Sequence, residues 1–119
     1  NKVRCSDLEK TIIDCLFKPN YAGGIVEITK AINLSREKIS YEKLLKYVKQ
    51  FNSQAVIKRL GFLLEILEIN TNITDELRDL RSNSYAILDT ELPKDGKYIS
   101  RWRILQNIET ATITSAIYT

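Results

Sequence analysis

The sequence contains no histidine among its 119 residues, and histidine is the side chain that most often carries acid–base chemistry. Nucleophilic pairs of the Ser/His/Asp or Cys/His kind therefore cannot be built from this chain. Cys5 and Cys15 could hold zinc only together with carboxylates, and their spacing is unfamiliar for such a site. We accordingly predict no enzyme activity, no catalytic residue, no metal site and no cofactor.

The two cysteines predict a cellular compartment instead. Cys5 lies just before the first predicted helix and Cys15 lies near its end, a separation too long for a disulfide. We interpret both as small buried or half-buried thiols in a reducing environment, which predicts a cytoplasmic protein. In addition, no apolar run approaches the roughly 18 residues that cross a bilayer, so no membrane association is predicted.

Two further motifs have weaker chemical interpretations. Gly23-Gly24 could present backbone N–H groups to an anion at a helix start, but a tight turn between helices is the favoured interpretation. Glu65 and Glu68 are neighbouring carboxylates on one helix, which we interpret as a solvated face. The sequence has no P-loop and no dinucleotide-binding fingerprint, so no small-molecule substrate is predicted.

Basic residues are the better guide to function. The net charge is +3, which permits contact with nucleic acid without requiring it. Lysines repeat along one side of the third predicted helix, where a solvated helix face is the alternative interpretation. The set that we predict to complement an acidic patch of a partner, or to touch phosphates, is Lys43, Lys46, Lys49, Lys58, Arg101 and Arg103.

Five helices are predicted from capping residues and from apolar residues at helical spacing. The first follows a capping box formed by Ser6 and Glu9 and ends at Lys18-Pro19. The fourth is apolar around most of its circumference and is therefore expected at the centre of the core. The other predicted bounds are Ile25 to Asn33, a helix from the Ser40 cap to Asn52, Gln54 to about Ile69, and Asp75 to about Leu80 with Thr74 as its cap.

Towards the C-terminus the apolar spacing changes from helical to alternating. Strands are predicted at Tyr85 to Asp89 and at Lys97 to Leu105, joined through the turn sequence Pro93 to Gly96. The Trp102 face of the second strand is expected to pack on the helices. The predicted fold class is therefore α+β, a bundle of about five helices packed against a small C-terminal antiparallel β-hairpin or sheet. Residues 108–119 are expected to form an extra strand or a loose tail.

The same order of helices and hairpin also outlines a winged helix-turn-helix, which is a DNA-binding fold. In that alternative, Ser53 to Arg59 would begin the recognition helix and the hairpin would be the wing. Two features weigh against it. The fourth helix is too apolar to lie in a DNA groove, and an acidic fifth helix separates it from the hairpin.

Motifs along the chain resemble, in their order and spacing, the C-terminal domain of AbiEi-type antitoxins and defence-system transcriptional regulators. The resemblance covers roughly residues 3–107, and residues 108–119 lie outside it. It is carried by Asp7 to Leu16, Pro19 to Gly24, Lys58 to Glu65, and a terminal group of Tyr85, Leu88-Asp89, Pro93, Gly96, Arg101 to Ile104 and Asn107.

This resemblance implies an antitoxin and regulator of an abortive-infection system, a toxin-antitoxin form of phage defence. It also implies an upstream winged-helix domain that binds DNA, and because the chain has no methionine we expect that domain to be missing from a longer parent. The domain in hand, residues 1–107 followed by the 108–119 tail, would act as a non-catalytic binding module. Its implied partner is a nucleotidyltransferase-like toxin protein.

The motif residues have structural interpretations as well. Glu9 completes a helix cap, and Trp102 is expected to anchor the core. Gly61 lies inside a helix, where glycine costs up to about 1 kcal/mol against alanine, so we expect another backbone to approach it closely. One interpretation of Arg59 is an internal ion pair with Glu9 or Asp14.

Overall fold

A computed structural model describes residues 8–69 and 71–117 of the chain. It confirms the predicted α+β class, since a helical bundle packs against one small sheet. The helices are α1 (Leu8–Phe17), α2 (Ile25–Ser35), α3 (Tyr41–Phe51), α4 (Gln54–Ile66), α5 (Ile73–Leu80) and α6 (Thr110–Ile117), with a 3-10 turn at Pro19–Ala22. The strands are β1 (Ala86–Ile87), β2 (Lys97–Ile99) and β3 (Ile104–Gln106).

Helix α4 lies at the centre of the molecule, as predicted. Every residue from Val56 to Leu64 is buried, and α1, α5, β1 and β3 all pack against it. A helix that is apolar on nearly all sides is stable in water only when neighbours cover it, which explains this position. The burial of Val56 to Arg59 counts against the alternative in which a recognition helix begins at Ser53.

Local capping signals fix most helix starts. The hydroxyls of Ser40 and Ser53 each accept a hydrogen bond from a backbone N–H in the first turn of α3 and α4, as predicted. Thr74 does not cap α5, because that helix begins at Ile73 and the Thr74 hydroxyl donates to the Thr71 carbonyl at 3.1 Å. The fourth helix ends at Ile66 rather than near Ile69, because Glu68 takes the left-handed conformation, with φ of 56°. Ser6, the other half of the predicted capping box, lies outside the described residues.

The sheet differs from the predicted hairpin. The strand order is β1-β3-β2, with β3 parallel to β1 and antiparallel to β2. The segment predicted as one strand from Lys97 to Leu105 therefore folds back on itself. Arg103 adopts a left-handed conformation with φ of 53°, and the bend points the Trp102 side chain into the core. A single strand would place Tyr98 on the same face as Trp102, but Tyr98 is 68% exposed.

The C-terminal residues form a helix, which corrects the prediction of an extra strand or a loose tail. Helix α6 packs against α2, and Ile113 is fully buried there. Threonine and isoleucine weaken helix formation because their branched side chains lose freedom, so the sequence signal favoured strand. Burial of one apolar face overrides that weak preference. Among the described residues, no helix is long and apolar enough to cross a membrane.

Candidate functional site

The buried guanidinium of Arg59 links three elements of the fold. From α4, its Nε donates to the carbonyl of Ile87 at 2.9 Å and its Nη1 donates to the carbonyl of Leu16 at 2.7 Å. These bonds hold the end of α1 against β1. Burial lowers the pKa of Arg59, and the nearby charge of Asp89 opposes that effect. The interpretation of Arg59 as a partner of Glu9 or Asp14 is therefore wrong, because backbone carbonyls take its donors.

Asp89 is buried at the N-terminus of α2. Its Oδ2 accepts from the backbone N–H of Ile25 at 3.3 Å, and its backbone is held by the side-chain amide of Asn107. Gly23 and Gly24 supply the preceding turn, with φ of 87° and 103°. The chain's own carboxylate thus occupies the helix start where the diglycine could have presented its amides to an anion. The favoured interpretation, a tight turn, agrees with this arrangement.

Gly61 makes room for the indole of Trp102. A Cβ at residue 61 would come within 2.1 Å of the ring, so the close neighbour is a side chain rather than the backbone that we expected. The indole N–H donates to Glu65, whose carboxylate also binds Arg101 Nη2 at 2.6 Å. Burial alone raises the pKa of Glu65, but hydrogen bonds from Arg101 and Trp102 outweigh it and lower the pKa. Glu65 therefore anchors the turn between β2 and β3, and it is not simply part of a solvated face.

The three predicted lysines of α3 lie on the surface. Lys43 pairs with the buried carboxylate of Glu9 at 3.7 Å, and Lys49 pairs with Glu76 of α5 at 3.5 Å. Lys46 is exposed. Glu9 also accepts from the backbone N–H of Ser40, so it ties α1 to the start of α3. The lysine face thus serves partly to hold α3 against its neighbours, and it remains accessible to a partner.

Lys58 corrects the predicted site. Its side chain is only 1% exposed, and its Nζ donates to the Ser82 hydroxyl at 3.0 Å and to the Ser84 carbonyl. A buried ammonium cannot join a contact surface with the α3 lysines. Its position at the centre of the bundle, on α4, explains the error, because all sides of that helix are covered.

Lys58 belongs instead to a group that we name the hairpin cation cluster, defined as Lys58, Arg81 and Arg103. Arg81 Nε donates to the carbonyl of Arg101 at 2.7 Å, and Arg103 Nη1 lies 3.5 Å from the Tyr85 hydroxyl. Sequence reasoning singled out Arg103 and Lys58 but missed Arg81, which follows the last residue of α5. The sequence feature that could have identified Arg81 is the Arg-Ser-Asn-Ser segment directly after that helix.

A second feature is the open cleft between α1 and α3, which we name the α1–α3 cleft. It has a volume of about 350 Å³ and is lined by Lys10, Ile13, Tyr47, Gln50 and Phe51. The ring of Phe17 meets that of Phe51 edge to face at 5.0 Å, and the two residues are 44% and 39% exposed. Phe51 lies at helical spacing from the buried residues Leu44 and Val48, which predicts burial, but the structure leaves it at the surface.

The cysteines and carboxylates offer little chemistry in the described part of the chain. Cys15 is a free, half-buried thiol, and Cys5 lies outside the described residues. Burial raises the pKa of the Cys15 thiol, and the charge of Asp14 raises it further. Within residues 8–69 and 71–117, no three side chains of the metal-binding types come together.

Comparison of the chain with family models, with curated proteins and with solved structures found no match. Support for a function therefore comes from the geometry of the α1–α3 cleft and the hairpin cation cluster, and from the motifs in the sequence.

Proposed function

We propose that this chain is a non-catalytic protein-binding module, the C-terminal domain of an AbiEi-type antitoxin and transcriptional regulator. Its partner in this proposal is a nucleotidyltransferase-like toxin of an abortive-infection system, and its contact surface is the α1–α3 cleft. The motifs across roughly residues 3–107 support the family. The observation that supports the surface is the exposed pair of Phe17 and Phe51 beside a cleft that is also lined by Lys10.

Aromatic side chains are enriched at the buried centres of protein interfaces, because each buries a large apolar area with few rotatable bonds. Phe17 and Phe51 form one continuous exposed patch, and Tyr47 lines the adjoining cleft. Contiguous apolar patches on a folded domain are typical of docking sites. An apolar side chain of a partner that entered the cleft would contact the rings of Tyr47 and Phe51.

The charges around the cleft favour an acidic partner. Helices α1 and α3 carry four exposed lysines, whereas their exposed carboxylates are only Asp14 and Glu42. Positive potential around an apolar centre steers an acidic protein surface into place and gives specificity. The exposed lysines of the two helices are Lys10, Lys43, Lys46 and Lys49, of which Lys10 lines the cleft.

The first test is calorimetric titration of this chain with the proposed nucleotidyltransferase-like partner. We expect Phe51→Ala and Phe17→Ala each to weaken binding by about 10- to 100-fold, the usual effect of removing a central aromatic contact. Leu34→Ala is the matched control, because Leu34 is 82% exposed on α2, away from the cleft. Equal affinities for all three variants and the parent chain would contradict the proposed surface.

A charge reversal tests the electrostatic part of the proposal. Lys46→Glu should slow association, and the difference from the parent chain should shrink as salt screens the charges. Lys94→Glu makes the same charge change at an exposed position before β2 and should leave the rate nearly unchanged. Stopped-flow measurement of the association rates of both variants at two salt concentrations would test these expectations.

A second candidate function is nucleic-acid binding by this domain, and the hairpin cation cluster is the observation that favours it. Each phosphate neutralised by a lysine or arginine releases counterions, so the affinity would fall steeply with added salt. Fluorescence anisotropy with a labelled DNA duplex would measure this. A flat salt response, or no binding at low salt, would remove this candidate.

A further inference from the structure

The hairpin cation cluster places positive charges together without an acidic partner. Among the described residues, the acceptors of the Lys58 Nζ are all neutral groups of Ser82 and Ser84, including both hydroxyls at 3.0 and 3.4 Å. Burial lowers the pKa of Lys58, and the charges of Arg103 and Arg81 lower it further. A buried ammonium without a counter-charge is costly, so this arrangement calls for an explanation.

Arg103 is also incompletely satisfied, and Arg81 has further donors. Arg103 Nε is buried and has no hydrogen-bond acceptor among the described residues, and its Nη1 contact with Tyr85 is long. The Arg103 backbone holds a left-handed conformation, with φ of 53°, which is unfavourable for a side chain of this size. Arg81 uses its Nε on a carbonyl, which leaves the terminal nitrogens of its guanidinium as further donors.

Nearby carboxylates are engaged with other cations. Glu65 binds Arg101, and Asp75 binds Arg78 at 2.9 Å. Within the part of the chain that the structure describes, none of the ion pairs involves Lys58, Arg81 or Arg103. The local excess of positive charge is therefore not balanced inside the fold.

We propose that the hairpin cation cluster, with the hydroxyls of Ser82 and Ser84, is a binding site for a phosphate-type oxyanion. Guanidinium groups match the geometry of phosphate oxygens, and serine hydroxyls add donors. Ser84 is exposed and Ser82 is half-buried, so an anion can reach the loop from solvent while Lys58 supplies charge from beneath. This proposal concerns a different surface from the α1–α3 cleft and does not depend on toxin binding.

The test is a nuclear magnetic resonance titration of the chain with inorganic phosphate at constant ionic strength, using chloride as the reference salt. We expect saturable shifts confined to the amides of residues 81–85 and 103. Phosphate should also raise the midpoint of thermal unfolding above that in equal chloride, because a ligand that binds only the folded state stabilises it. The absence of saturable shifts, together with equal midpoints in the two salts, would overturn the proposal.

Variants locate the site. Arg81→Gln and Arg103→Gln should each weaken phosphate binding about tenfold, the effect expected for the loss of one charge-assisted contact. Arg78→Gln removes the same charge from α5 outside the cluster and should leave the affinity unchanged. Lys58 is left intact because of its burial in the core. If Arg81→Gln and Arg103→Gln bound phosphate as the parent does, the assignment would be wrong. If a glutamine variant failed to fold, Arg81→Lys and Arg103→Lys would take its place.

A parallel titration with a short single-stranded DNA distinguishes the sources of the phosphate. Binding of the DNA at least about tenfold tighter than inorganic phosphate, with the same residues shifting, would identify a nucleic-acid backbone as the source. Similar affinities would identify a free phosphate or a phosphomonoester. Both results support the site, because both require the same three cations.

Discussion

Arg59, Gly61 and Trp102 show that motif residues of this chain act on its own core. The guanidinium of Arg59 binds two backbone carbonyls, and Gly61 accommodates the indole of Trp102. A buried charge is tolerated only when its donors are satisfied, which is the case for Arg59. These residues stabilise the frame that presents the candidate sites, and they are not contact residues themselves.

Gly61→Ala should destabilise the protein. Alanine would gain up to about 1 kcal/mol of helix propensity, but its Cβ would overlap the Trp102 ring, and overpacking a core costs about 1–3 kcal/mol. We therefore expect a net loss of stability in urea unfolding. In a Trp102→Phe background the smaller ring should reduce the cost of the added methyl group. Equal costs in both backgrounds would show that the indole is not the obstacle.

Glu65 should make stability depend on pH. Its folded pKa is lowered, so it stabilises the fold above the unfolded pKa of about 4.3, and that contribution is lost as the pH falls through the folded pKa. Glu65→Gln should therefore be less stable than the parent chain at pH 7, and the gap should narrow below about pH 4. Urea unfolding at pH 7 and pH 3 measures both values. A gap that did not change with pH would contradict the account.

The sequence predicts burial correctly only for side chains whose chemical type favours a single environment. Trp102 was expected in the core and is there. Lys58 was expected at the surface and is not, because its ammonium reaches acceptors 24 and 26 residues along the chain. Arg59 likewise finds a carbonyl 43 residues away. Long polar side chains take their environment from such distant partners, which one sequence does not reveal.

At the scale of elements, local signals specified the helices, whereas long-range pairing decided the sheet. Ser40 and Ser53 start their helices where their hydroxyls can cap free N–H groups. Nothing local indicates that β3 pairs in parallel with β1 as well as in antiparallel with β2. The left-handed conformation of Arg103 helps to form the turn between β2 and β3. Arginine gives no sequence signal for a left-handed conformation.

Asn52 ends α3 in a left-handed conformation with φ of 57°, and its backbone N–H donates to the carbonyl of Val48. Asn52→Ala should cost about 1 kcal/mol, because alanine tolerates the left-handed conformation less well than asparagine does, whereas Asn52→Gly should be nearly neutral. Thermal unfolding would measure both. Asn83→Ala is the control, since Asn83 is exposed and has no positive φ. An equal loss for Asn52→Ala and Asn52→Gly would point to the side chain rather than to the backbone.

At the scale of the whole molecule, a buried central helix supports two separate surface features. The α1–α3 cleft offers aromatic rings and one lysine, and the hairpin cation cluster offers positive charge without an ion-pair partner among the described residues. They share no residue, so substitutions can remove one and keep the other. The sequence alone predicted the helical frame and most of the basic residues. The exposed pair of Phe17 and Phe51 emerged only from the packing of α1 against α3.

The most direct test of the central claim is growth rescue. The chain is co-expressed with the nucleotidyltransferase-like toxin that we propose as its partner, and surviving colonies are counted. We expect the parent chain and Leu34→Ala to restore growth, and the double variant Phe17→Ala/Phe51→Ala to fail although it is soluble and folded. Failure of the folded parent chain to rescue, or full rescue by the double variant, would contradict a toxin-binding module that acts through the α1–α3 cleft.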